Sequence, residues 1–262
     1  MKGELLMKKV LSISLLAALL VSLFAIPVLA TPPEPDYVRV TIADANKNIV
    51  LAAEKVTLAT SDTIDDVLRR AHDEFYNGGA DAGYASEETQ WGVSIVKLWG
   101  DESGSYGYYV NDASAMSLAD TVNPCDHIYV FVYTDTMNFS DTYCYFNNTQ
   151  VYAEKGDIAT LTLTKSGYDA SWNPITVPVE GAVITINGEK TDLITNEKGE
   201  VAITYDKAGE LLISAVHDEL NLTPPVLAAT VEGGTNPAII ALIVAIVLVV
   251  SVSAVVVVRK KR

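Results

Sequence analysis

Cysteine, histidine and positive charge are all scarce in this chain. It has two cysteines and three histidines, and its 18 Lys and Arg face 33 Asp and Glu, for a formal net charge of −15. Such an acidic surface repels nucleic-acid phosphates and anionic lipid headgroups, so we expect no nucleic-acid partner. The acidity is typical of a soluble surface. Loose binding of divalent cations or of a basic partner is the alternative.

Motifs for catalysis or for a resident metal are also missing. His72, His127 and His217 stand in unrelated contexts, and their spacing to the cysteines does not predict a zinc site. The sequence has no Gly-x-Ser-x-Gly elbow, and the glycines of residues 78–83 lack the Lys-Ser/Thr of a phosphate loop. Residues 44–48 begin like a calcium loop, but the required Gly and Glu do not follow. We therefore predict a protein that is not an enzyme and has no cofactor and no metal.

Long apolar runs occur at both ends of the chain. Residues 238–258 carry no charge, span about 31 Å as a helix, and stop at the four cations of residues 259–262. This pattern predicts a transmembrane helix with a short cytoplasmic tail. Lysines followed by an apolar stretch predict a signal peptide at residues 1–30, with an uncleaved anchor as the alternative. Together they predict a single-pass protein of the cell membrane with an extracellular N-terminal ectodomain.

The two cysteines, Cys125 and Cys144, both fall in the predicted ectodomain. An even number of cysteines in an oxidising compartment predicts a disulfide between them. Two free thiols are the alternative in an organism that lives without oxygen.

Residues 37–135 have the pattern of a small sheet crossed by one helix. Alternating apolar residues predict a strand at 37–43, a returning strand follows at 49–53, and strand-like segments occupy 93–99, 106–110 and 127–134. The predicted helix has one apolar stripe, formed by Ile64, Val67, Leu68, Ala71 and Phe75. Ser61 or Asp62 is its predicted N-cap, and His72, off the stripe, is predicted to face solvent.

Four short motifs in this region resemble those of a known family. They are DTIDDVL (62–68), GVSI (92–95), YYVN (108–111) and DHIYV (126–130). They are similar to motifs of the β-grasp domain found at the C-terminus of transcobalamin and intrinsic factor, and in many bacterial surface proteins. Asp112 and Cys125 depart from that pattern, since each stands where the family usually has Gly. The resemblance implies a transcobalamin-like α+β fold over about 37–135. It also implies capture of a corrinoid, although no vitamin-contacting residue belongs to the shared motifs.

Residues 143–231 have a different pattern, with short strands, regular turns and no helix signal. Strands are predicted at 157–165, at 180–188 with an Asn-Gly turn, at 200–205 and at 210–216. This spacing predicts an all-β sandwich. The segment resembles bacterial immunoglobulin-like or prealbumin-like surface domains, which usually act as spacers or adhesin stalks. Residues 136–142 are a predicted linker, and residues 232–237 a predicted tether to the membrane.

Aromatic residues are enriched in and around one predicted hairpin, and we take them as candidate ligand-binding residues. They are Trp91, Trp99, Tyr106, Tyr108 and Tyr109. Packing in the core is the alternative to a binding face for a flat ligand, a glycan or a protein. Because Tyr108 and Tyr109 are adjacent on a strand, they face opposite sides, and one is predicted to be buried and the other exposed.

These features favour a membrane-anchored cell-surface protein that acts as a non-catalytic binding or adhesion module. The expected partners are the membrane and a small-molecule, glycan or protein ligand outside the cell. Surface capture of a small ligand such as a corrinoid by residues 37–135 is the alternative function.

Overall fold

The computed structural model describes residues 36–171 and 173–233. The predicted signal peptide, transmembrane helix and cytoplasmic tail lie outside these ranges. None of the helices inside them has the length and hydrophobicity that a bilayer crossing needs. The described residues fall within one compact unit, made mostly of β-strands.

The first half of the described chain is a sheet backed by helix α1. Its elements in chain order are β1 (Tyr37–Ala43), β2 (Ile49–Thr57), α1 (Ile64–Phe75), α2 (Gly79–Gly83), β3 (Tyr84–Thr89), β4 (Gly92–Leu98), β5 (Tyr106–Val110), β6 (Ala113–Ser114) and β7 (His127–Val132). The main sheet has the order β2-β1-β7-β5-β6, and β3 and β4 form a separate hairpin. Strands β1 and β7 are parallel, whereas the other pairs in this sheet are antiparallel.

Helix α1 packs its apolar stripe on one face of this sheet, as predicted. Ile64, Val67 and Leu68 are buried in a core shared with Val40 of β1 and Val130 of β7. Burial of this stripe, rather than helix propensity, supplies most of the stability of a helix this short.

The N-terminus of α1 differs from the prediction of Ser61 or Asp62 as its cap. Thr63 is the N-cap, and its hydroxyl accepts the Asp66 N–H while the Asp66 carboxylate accepts the Thr63 N–H. This reciprocal pair is a capping box, with Asp in place of the usual Glu. Asp62 instead accepts the Ala59 N–H and pairs with Arg70 at 2.7 Å.

His72 also differs from its prediction, because it is fully buried rather than exposed. Nδ1 lies 2.7 Å from the Leu68 carbonyl oxygen, and Nε2 lies 3.1 Å from the Trp99 backbone nitrogen. The rings of Tyr84 and Trp99 cover the imidazole at 4.9 and 5.2 Å. The segment after α1 folds back over the helix, which the periodicity of α1 alone does not reveal.

The second half consists of two sheets that share a core. Its strands are β8 (Cys144–Phe146), β9 (Gln150–Glu154), β10 (Ile158–Tyr168), β11 (Pro174–Pro178), β12 (Val183–Ile186), β13 (Glu189–Ile194), β14 (Glu200–Thr204), β15 (Gly209–Val216) and β16 (Leu227–Glu232). One sheet has the order β11-β10-β14, with β8 also paired to β10, and the other has the order β13-β12-β15-β16-β9. Leu163 and Ile203 of the first sheet meet Ile184 and Ile213 of the second in one buried cluster. The predicted Asn187-Gly188 turn joins β12 to β13, with φ of 52° and 82°.

A third buried cluster joins the two halves. It contains Ala43, Tyr129 and Phe131 from the first sheet, and Tyr143 and Val226 from the second half. Every residue of β7 is therefore buried, because α1 covers one face of the sheet and the second half covers the other. The predicted linker, residues 136–142, includes Asp141, whose carboxylate accepts the backbone N–H groups of Thr134 and Asp135.

The predicted disulfide between Cys125 and Cys144 is not formed, and both thiols are free. Cys125 is exposed in the turn before β7, where its φ is 69°. Cys144 is buried in the core of the second half, where its thiol donates to the Thr223 carbonyl oxygen at 3.1 Å. An exposed turn and a packed core keep the two sulfur atoms in separate environments. Cys125, which stands where the resembled family usually has Gly, therefore takes no part in a disulfide.

Candidate functional site

The structure distributes the five predicted aromatic residues over separate places. Trp91 lies in the turn between β3 and β4 and is 80% exposed. Trp99 follows β4 and packs edge-on against Tyr76 at 5.1 Å. Tyr106 is half-buried and donates its hydroxyl to the Asp101 carbonyl oxygen at 2.8 Å.

Tyr108 and Tyr109 face opposite sides of the main sheet, and each side is partly covered. Tyr108 packs against the core below α1, and Tyr109 packs against the cluster that joins the two halves. Both are half-buried, so the prediction of one buried and one exposed ring is wrong. The physical reason is that this sheet is covered on both faces. The sequence of one strand does not show that a second layer packs on its other face.

Tyr109 opens into a cleft of about 1030 Å³ between the two halves. One wall is the β5–β6 hairpin, and the other is formed by β8, β10 and β11. The cleft is lined by four tyrosines, Tyr109, Tyr143, Tyr145 and Tyr168, and by Asp112, Met116 and Ile175 among others. The sequence pointed to Tyr109 but missed the other three rings. The run Tyr143-Cys-Tyr-Phe is the local signal that could have found two of them.

Two of the tyrosine rings form the floor of this cleft. Tyr109 and Tyr143 stack with ring centroids 3.6 Å apart and planes 9° from parallel. Tyr145 lies next to Tyr143, with centroids 5.9 Å apart. These rings form one aromatic cluster drawn from both halves of the chain, in which Tyr143 is only 4% exposed.

Asp112 reaches the cleft because of the turn that carries it. Asn111 and Asp112 are the two central residues of the β5–β6 hairpin, with φ of 48° and 64°. Positive φ at both positions is the geometry of a type I′ turn, which Asn and Asp tolerate better than most residues. Asn111 is braced by its side-chain N–H donation to Asp126 and by accepting the His127 N–H. The Tyr143 hydroxyl donates to Asp112 at 2.8 Å.

The surroundings of Tyr109 and Tyr143 raise the pKa of both phenols. Burial, together with the neighbouring Tyr133 and Tyr168, raises the pKa of Tyr109 to about 12. Burial and the adjacent Asp112 raise the pKa of Tyr143 well above its usual range. Burial also raises the pKa of Asp112, which the hydrogen bond from Tyr143 opposes. The neutral rings of Tyr109 and Tyr143 and the adjacent Asp112 carboxylate are suited to stacking and to hydrogen bonding.

A second cleft of about 570 Å³ also lies between the halves. It is bounded by the β1–β2 turn with Lys47, by β15, and by the loop that carries Asn221. Within residues 36–171 and 173–233, no group of three or more His, Cys, Asp or Glu is placed to hold a metal ion.

Comparison with known proteins yields only distant structural neighbours. No family model and no curated protein matches the chain. Among solved structures, the chain is similar to the N-terminal four Ig domains of Dscam1 in isoforms 4.44 and 7.44, at 9% and 10% identity, each with a TM-score of 0.22. Each match covers 78% of this chain and 45% or 48% of the solved chain, so this chain spans about half the length of the structures it matches.

Proposed function

We propose that this protein is a non-catalytic binding module whose ligand site is the tyrosine-lined cleft between β5–β6 and β8, β10 and β11. The observation that carries the proposal is the meeting of four tyrosines and Asp112 in one open cleft of about 1030 Å³. Ligand sites typically combine aromatic walls with a few polar groups that fix orientation, and they occur preferentially where two structural units meet.

The cleft chemistry favours a ligand that has a flat apolar face and hydroxyl donors, such as a sugar ring. The half-buried Tyr109 and the exposed Tyr168 supply faces for stacking, and Asp112 supplies an acceptor for a hydroxyl group. Met116, at the rim, is 82% exposed and flexible enough to close over a bound ring. We therefore favour a glycan ligand, which suits an adhesion role.

Corrinoid capture is the second candidate function. Its support is the arrangement of the first half, where one helix crosses a mixed sheet with parallel central strands β1 and β7. We interpret this half as a β-grasp-like domain and the second half as an immunoglobulin-like sandwich. In the proposed setting, residues 238–258 anchor the protein in the cell membrane and both halves lie outside the cell.

The test is a binding screen of the full-length chain in detergent. A glycan array and calorimetric titrations with cobalamin and cobinamide probe both candidate ligand classes. We expect Asp112→Asn and Tyr168→Ala to weaken binding by about tenfold each, because a charge-assisted hydrogen bond and an aromatic contact are lost. Tyr152→Ala removes an equally exposed tyrosine from β9 and is the matched control.

Binding that both cleft variants leave at wild-type strength would place the ligand elsewhere and overturn the cleft assignment. Binding of corrinoids but of no glycan would favour the second candidate function. A screen without saturable binding to any probe would reject both ligand classes.

A further inference from the structure

Lys47 extends from the β1–β2 turn of the first half into the second half. Its backbone has a φ of 61°, which is uncommon for a residue with a side chain. Its Nζ contacts the side-chain oxygen Oδ1 of Asn221 and donates to the Leu222 carbonyl oxygen at 2.8 Å. The amine of one half is thus held against a carboxamide of the other.

A buried carboxylate stands beside this pair. Asp141 Oδ1 lies 4.0 Å from Lys47 Nζ, and the Asp141 side chain is only 1% exposed. The hydroxyl of Thr134 donates to Asp141 at 2.8 Å, and two backbone N–H groups fix the other carboxylate oxygen. The charge is therefore held in one orientation next to the amine.

The amide nitrogen of Asn221 is held as well. Its Nδ2 donates to the hydroxyls of Thr134 and Ser140, each at 3.3 Å. Because the Thr134 hydroxyl also contacts Asp141, it connects the carboxylate to the nitrogen of the carboxamide. Amine, carboxamide and buried acid thus form one continuous network.

We propose that Lys47 and Asn221 condense into an intramolecular isopeptide bond, with Asp141 as the proton-transfer group. Asp141 takes a proton from the Lys47 ammonium, and the neutral amine attacks Cγ of Asn221. The new C–N bond forms as the bond from Cγ to Nδ2 breaks. Asp141 returns its proton through the Thr134 hydroxyl, and the second proton of the amine also leaves with Nδ2. The products are one secondary amide, one ammonium ion and the regenerated carboxylate.

The surroundings of Lys47 assist the first step. Burial lowers the pKa of this amine, although the nearby Asp141 opposes the effect, so the neutral nucleophile is more available than for an exposed lysine. A hydrogen bond that merely docks the two halves would hold the same atoms together without loss of ammonia. The cross-linked protein is therefore lighter, by one ammonia, than a protein in which Lys47 and Asn221 are only hydrogen-bonded.

The decisive experiment is mass spectrometry of the full-length chain, purified from membranes and digested with trypsin and a Glu-specific protease. We expect peptide 40–54 to be joined to peptide 220–232 through Lys47 and Asn221, with a total mass lower by one ammonia, about 17 Da. An acylated Lys47 also resists trypsin. Unlinked peptides with an intact Asn221 in the wild-type protein would overturn the proposal without any variant.

A variant of Lys47 separates the isopeptide from other modifications. Lys47→Arg keeps the charge but cannot be acylated in this way, so an ammonia loss that persists in it would indicate a succinimide at Asn221 and refute the proposal. A glycan on the Asn221-Leu222-Thr223 sequon would add mass instead and would also refute it. Asp141→Asn is expected to reduce the cross-linked fraction by at least about tenfold, and Lys198→Arg is the matched control.

Discussion

The rings of Tyr109 and Tyr143 stack at 3.6 Å between centroids, although one belongs to the first sheet and the other to the second half. The Tyr143 hydroxyl also donates to Asp112. This pair is therefore both the floor of the cleft and a contact that holds the two halves together.

Truncation of this pair is expected to destabilise the protein. Tyr143→Ala should lower the free energy of unfolding by about 3–5 kcal/mol, because it removes a buried aromatic ring and leaves a cavity. Tyr143→Phe keeps the ring and loses only the hydrogen bond to Asp112, for a cost of about 1–3 kcal/mol. Urea denaturation measures both values. Equal costs for the two variants would show that the stacking contributes little.

Acid is expected to destabilise the protein in a defined pH range. Burial, followed by the charge of Arg39, lowers the pKa of His127 to about 4 in the folded state, against 6.5 when exposed. Between these values the unfolded chain binds a proton that the folded chain does not, so stability falls as the pH drops from about 6.5 to 4. The loss is roughly 3 kcal/mol for this histidine.

His127→Gln should flatten this part of the pH profile, whereas His217→Gln serves as the control. Burial also lowers the pKa of His72, which acts in the same direction, so a residual slope is expected in the first variant. Denaturant midpoints measured from pH 7 to pH 4 test the prediction. A slope unchanged by His127→Gln would contradict it.

The cap of α1 is a third point at which stability is testable. Thr63→Ala should cost about 1 kcal/mol, because the Asp66 N–H loses its acceptor and the reciprocal pair is broken. Thr60→Ala, three residues earlier and exposed, is the control. Thermal and urea unfolding measure the stability of both variants. Equal stabilities would show that Thr63 does not act as the cap.

The two thiols are expected to differ sharply in reactivity. Cys125 should react with a maleimide in the folded protein, whereas Cys144 should react only after unfolding, because it is buried and burial raises its thiol pKa. The measurement is the number of maleimide labels per chain, determined by mass spectrometry under non-reducing conditions. Two labels that appear only after a reductant is added would instead demonstrate the disulfide.

The local patterns of the sequence predict the framework of the fold well. Alternation identified β1, an apolar run identified β7, and the 3.6-residue stripe identified α1. The Asn187-Gly188 turn identified the end of β12, although β13 after it was not predicted. These signals are local, because each depends on residues that are neighbours along the chain.

Strands with a weak apolar pattern or a distant partner were missed. Strand β3 (Tyr84–Thr89) is mostly polar, and β9 (Gln150–Glu154) is a short edge strand whose parallel partner lies 78 residues later in the chain. The same limit applies to the cleft. Tyr109, Tyr143 and Tyr168 meet only because the second half covers the first sheet, and no spacing in the sequence reports that contact.

The position of β16 has a mechanical consequence. This last strand runs antiparallel to β15 on one side and parallel to β9 on the other, with five paired residues on each side. A pull on its C-terminal end acts along the strand, so both ladders resist in shear and many hydrogen bonds must break together. Unzipping from an edge would instead break them one by one. The described part of the chain is thus arranged to resist tension applied at Glu232.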